Sequence, residues 1–138
     1  MYKLYIAPTK NTPEINFSPD DNFFIIKGFS APEDVRSLYY PAIEWTKIFV
    51  GDVLEGVITK FSKENPIVLK VDLSYFNSSS AKFLFDIFME LKKLYLSKAS
   101  LVIEWFYDPE DNDMKFAGED FSALVDMVFT YTPKEKHQ

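Results

Sequence analysis

The 138-residue chain has the length of one domain, and a hydrophobic content of 47% is enough to bury a sizeable core. The absence of cysteine excludes disulfides, a thiolate nucleophile and a cysteine metal site, a composition that fits a cytoplasmic protein. A net charge of -6 opposes nonspecific attraction to phosphate backbones and anionic lipids, so neither nucleic acid nor a membrane is expected as a partner.

In chain order, Ile15 to Phe17 and Phe23 to Lys27 flank the turn-forming group Ser18-Pro19-Asp20-Asp21-Asn22, which predicts an antiparallel hairpin whose second strand ends at Gly28. Val35, Leu38, Tyr39, Ala42, Trp45, Ile48 and Phe49 then recur at helical spacing, with Pro32 and Glu33 near the start and Gly51 after the end. Pro41 should bend or restart this helix. The polar stretch 51–66 has no clear pattern, although Val53, Leu54 and Val57 fit a short helical turn. Ile67 to Leu73 reads as a strand, Ser80 to Leu96 as a helix, and Leu101 to Tyr107 as a strand whose apolar run predicts burial on both faces. Met114 to Val125 reads as a further helix and Val128 to Tyr131 as a short edge strand. The order gives a β-α-β crossover within an α/β fold: one domain, residues 1–132, with a mixed sheet and helices packed on it, then a polar tail, 133–138.

The stretch Tyr75-Phe76-Asn77-Ser78-Ser79-Ser80-Ala81-Lys82 sets three consecutive hydroxyls at a strand-to-helix junction. Free amides and the positive end of the helix dipole favour negative charge there. One of Asn77, Ser78 or Ser79 is expected to cap the helix. Three hydroxyls exceed what a cap requires, and a phosphate here would place about -1.5 to -2 charges beside Lys82. At about 100° per residue, Leu84, Ile87, Phe88, Leu91, Leu94 and Tyr95 share the core face. Ala81, Phe85 and Met89 follow a separate i, i+4, i+8 line with Ser78 near its head. That apolar strip reads either as a partner surface or as packing against a neighbouring helix.

Other chemistry finds less support. The only histidine, His137, lies in the polar tail, which leaves none for a catalytic triad or a histidine-based zinc site. The acidic loop 108–113 places Asp108, Glu110, Asn112 and Glu119 at positions 1, 3, 5 and 12 of a calcium loop, but Asp113 stands where glycine is required. A small Ca²⁺- or Mg²⁺-binding or general protein-interaction module using that loop is therefore the alternative reading. No Gly-rich phosphate cradle exists, and nothing selects a catalytic pair among the 21 acidic residues. No catalytic residue, cofactor or metal is expected.

Four blocks taken together resemble the SiaC family of bacterial regulatory phosphoproteins across nearly the whole chain. They are Thr12 to Phe17; Pro32-Glu33 with Tyr39 to Trp45; Tyr75 to Lys82; and Trp105-Phe106-Tyr107 with Asp111 to Met114 and Ala117 to Phe121. The resemblance implies a fold similar to the anti-sigma-factor antagonists (STAS-like). It also implies a switch, in which a threonine in an Asn-Thr-Ser-Ser segment is phosphorylated by a partner serine/threonine kinase and dephosphorylated by a PP2C-type phosphatase. The unmodified form then binds and activates a diguanylate cyclase. The matching position is Ser78, where serine keeps the acceptor oxygen. Asn77, Ser79, Ser80 and Lys82 would shape the site, and Ala81, Phe85 and Met89 would form the partner surface.

Overall fold

In a computed structural model, which describes residues 2–135, six strands form one sheet in the order β1-β2-β3-β4-β5-β6. The elements are β1 (Leu4–Ile6), β2 (Glu14–Ser18), β3 (Phe23–Ser30), α1 (Val35–Leu54), β4 (Ile67–Phe76), α2 (Ser78–Tyr95), β5 (Leu101–Tyr107), α3 (Asn112–Val125) and β6 (Thr130–Pro133). β1, β2 and β3 pair antiparallel, and β3 to β6 pair parallel. Each parallel connection carries one helix and advances by one strand, and the three helices pack side by side, α1 against α2 and α2 against α3. The product is the expected single-domain mixed α/β fold. His137 and the second half of the polar tail lie outside the described residues.

Burial follows this two-layer plan. Along β4, Ile67, Leu69, Val71 and Leu73 are buried under the helices, while Val68, Lys70 and Asp72 on the other face are half-buried. β5 alternates in the same way, so its expected burial on both faces is corrected to one. The apolar residues on its second face, Val102 and Phe106, lie half-buried on the side without helices.

Several predicted boundaries move. The hairpin is present, closed by a single 3-10 turn at Pro19–Asp21 with Asn22 in the left-handed region at φ 50°. Gly28 does not end β3. At φ +124° it continues the strand in a conformation other residues rarely adopt, with its α-carbon facing Pro13. Pro41 does not restart α1 and Gly51 does not end it: the helix runs unbroken to Leu54. Its start is well anchored, since Asp34 accepts hydrogen bonds from Ser37 N (3.2 Å) and Ser37 Oγ (2.7 Å). Beyond it, Ile58 and Phe61 are buried, and Ser62 and Asn65 form an isolated antiparallel bridge in the stretch that has no pattern in the sequence. β6 begins at Thr130, two residues later than expected, and Val128 is exposed.

At the end of β4 the register with β3 slips: Gly28 pairs with Leu73, but Phe29 pairs with Tyr75. Ser74 is the extra residue of a bulge, and its hydroxyl donates to the Gly28 carbonyl (3.1 Å). The bulge resets the side-chain alternation. Tyr75 stacks on Phe29 at 5.0 Å, and Phe76 turns inward against Trp105 and Phe121. Asn77 follows directly, so this slip aims the junction into α2.

Candidate functional site

The chain enters α2 through Asn77, whose extended backbone (φ -87°, ψ 174°) and side chain make it the N-cap. Its Oδ1 accepts from Ser80 N at 2.9 Å and from Ser79 Oγ at 3.0 Å. Its own N–H donates to the Ser30 carbonyl at 3.0 Å. α2 therefore begins two residues earlier than its periodicity indicates, and Ser78 is its first residue.

The three serines separate sharply. Ser78 is exposed, and its hydroxyl has no hydrogen-bond partner among the described residues. Ser79 is exposed, but its hydroxyl is committed to the cap. Ser80 is fully buried: its Oγ donates to the Ser30 carbonyl (3.1 Å) and lies 2.8 Å from Ser30 Oγ, which lies 2.7 Å from Tyr39 OH. Burial pushes the Tyr39 phenol above its ordinary pKa, although the neighbouring Ser30 and Ser80 hydroxyls pull the other way. The third hydroxyl of the run is thus core chemistry, a role sequence alone does not reveal.

Lys82 lies one turn into α2, with its ammonium 2.8 Å from Asp86 and 4.8 Å from the centroid of the Phe83 ring. With Ser79 it lines a groove of about 460 Å³ between α1 and α2, together with Arg36, Tyr40 and Lys47. On the strip, Ala81 and Phe85 are half-buried and pack against the core cluster, whereas Met89 is 39% exposed. Both readings of the strip therefore hold in part: its inner edge packs and its outer edge faces water.

The acidic loop does not gather its ligands. Asp111 caps α3 through Met114 N at 3.0 Å, Asp108 accepts from Glu110 N at 2.9 Å, and Asn112 is already helical. Among the described residues no group of three or more histidine, cysteine, aspartate or glutamate side chains is placed to hold a metal ion. No helix among them is long and apolar enough to cross a membrane.

Comparison with known proteins bears on the same region. A family model described as SiaC family regulatory phosphoprotein matches residues 6–134. The protein PA14_02130 of Pseudomonas aeruginosa (strain UCBPP-PA14) is 26% identical over 121 residues, 88% of each chain. Apo-SiaC from Pseudomonas aeruginosa superposes with a TM-score of 0.79 at 25% identity, covering 96% of this chain and 99% of that one. The same organism's SiaC, solved as the activator in complex with the diguanylate cyclase SiaD, gives a TM-score of 0.80 at 24% identity, covering 95% and 99%. The matched span takes in the whole Asn77–Lys82 turn and the strip behind it.

Proposed function

The chain belongs to the SiaC family of regulatory phosphoproteins, and from that premise we propose that it is a non-enzymatic switch whose acceptor is Ser78. A cognate serine/threonine kinase moves the γ-phosphoryl of ATP to Ser78 Oγ, releasing ADP. A PP2C-type phosphatase hydrolyses the ester and restores the hydroxyl. The unmodified form binds and activates a signalling partner of the diguanylate cyclase class, a reading supported by its Pseudomonas aeruginosa relative SiaC, the activator in a complex with the diguanylate cyclase SiaD.

One observation carries the choice of acceptor: of the three adjacent hydroxyls, only that of Ser78 is both exposed and free of hydrogen bonds among the described residues. Phosphorylating Ser79 would break its bond to the cap, and Ser80 is out of a kinase's reach. As the first residue of α2, Ser78 carries a phosphate where the helix dipole favours it. It also lies at the head of the Ala81, Phe85 and Met89 strip. An apolar partner would have to strip water from the phosphate to seat there, so modification opposes binding.

Intact mass after incubation with kinase and ATP should rise by a single phosphoryl group, Ser78→Ala should abolish the gain, and the phosphatase should reverse it. An unchanged mass, or modification that persists in Ser78→Ala, overturns the assignment. In calorimetric titration onto the cyclase, phosphorylation should weaken binding by about tenfold or more. Equal affinities would rule out switching by this route.

A further inference from the structure

Beneath the exposed turn lies a closed set of hydroxyls from three separate elements: Ser30 on β3, Tyr39 on α1 and Ser80 on α2, each 0% exposed. Proton accounting fixes its direction. Ser80 donates its single proton to the Ser30 carbonyl, so in the contact between the two serine oxygens Ser30 must be the donor. Ser30 has then used its proton, so Tyr39 donates to Ser30. The chain runs from Tyr39 OH to Ser30 Oγ to Ser80 Oγ to the Ser30 carbonyl, and no donor is left over. That carbonyl also accepts from Asn77 N. Residues 77 and 80, at the two ends of the acceptor turn, are therefore both tied to one oxygen of β3. Tyr39 extends the tie to α1, where its ring stacks parallel on Phe83 at 5.9 Å.

We propose that Ser80 is a positioning residue for the phosphoacceptor turn, its buried hydroxyl acting with Ser30 and Tyr39 to hold Asn77, Ser78 and Ser79 in the single conformation that a kinase reads. This rests on the reading of Ser78 as acceptor, but the tie itself is a property of the unmodified chain. A serine with no solvent access and two oxygen partners is not a spare phosphorylation site. Without it, only the Asn77 side chain and the Asn77 N–H bond to the Ser30 carbonyl would pin the start of α2, and the turn would sample frayed conformations typical of helix ends. The cost of losing such a bond is concentrated at the turn, because the rest of α2 is held by its apolar face.

The test has two arms. Hydrogen–deuterium exchange on the unmodified protein reads the amides of Asn77, Ser80 and Ala81, whose acceptors are the Ser30 carbonyl and the Asn77 side chain and carbonyl. Ser80→Ala should speed their exchange by about fivefold or more, and Tyr39→Phe, which keeps the stacked ring, by a smaller factor, with β5 amides unchanged. Exchange at the turn unaltered in both variants overturns the proposal, as does acceleration spread equally over β5. In the second arm, kcat/KM for phosphorylation is measured well below the unfolding temperature of each variant. It should fall in step with the exchange at the turn, and values equal to wild type would also overturn the proposal. A wild-type chain that the kinase leaves unmodified would instead sink the Ser78 assignment, and the exchange arm would still decide the role of Ser80.

Discussion

Asn77 and the three serines after it are consecutive in the chain yet have four different environments: a cap, a free hydroxyl, a hydroxyl bonded to the cap, and a core hydroxyl. The run is legible in the sequence as a helix start, because Asn and Ser favour that position. Its division of roles is not, since it depends on Ser30, 50 residues upstream of Ser80. Asn77→Ala should lower stability by about 1 kcal/mol in denaturant unfolding, and it should free the Ser79 hydroxyl as well. A second cap makes a prediction about pH. The bonds from the Ser37 hydroxyl and amide hold the exposed Asp34 carboxyl below its ordinary pKa. A depressed folded-state value contributes stability that is present above the ordinary value and lost as pH falls through the folded one. Asp34→Asn keeps a competent cap without the charge. The acid side of its thermal-midpoint profile should therefore be flatter than that of the wild type.

Among the elements, β4, α2 and β5 are the most legible, because their apolar residues keep a clean period. β1 is missed because Leu4–Ile6 is too short to show one, and it forms only because β2 offers an open edge. α1 is misjudged at both of its punctuating residues. Pro41 removes the N–H that would bond to the Ser37 carbonyl, but Leu38, Tyr39, Ala42 and Ile43 around it are buried and carry the helix through. Pro41→Ala should restore that bond and raise the thermal midpoint, with a gain of about 1 kcal/mol after the unfolded chain regains freedom. Gly118 on α3 is the opposite case, a small residue required by a close approach. A Cβ there would lie 2.6 Å from the Trp105 ring, whose indole N–H donates to the Met114 carbonyl at 2.9 Å. Gly118→Ala should therefore destabilise by about 1–3 kcal/mol in denaturant melts, despite alanine's better helix propensity.

At the scale of the whole molecule, the sheet is covered on one face only, and the α2 start sits at the end of β4 next to the sheet's central parallel pair. This placement bears on what kind of switch is feasible. Ser78 touches no core residue through a hydrogen bond, whereas the turn behind it is fastened to β3 and α1. A phosphate added at Ser78 has no buried contact to disrupt, and at the first residue of a helix its charge is favourable by about 0.3–1 kcal/mol. The phosphorylated protein should therefore melt at the same temperature as the unmodified one or slightly higher, with an unchanged circular dichroism spectrum, while its affinity for the partner falls. Measured together, the two quantities separate a surface switch from one that works by unfolding α2. A lower melting temperature on phosphorylation would mean that the signal travels through the fold. Stability retained alongside lost affinity would place the whole effect at the charged head of the apolar strip.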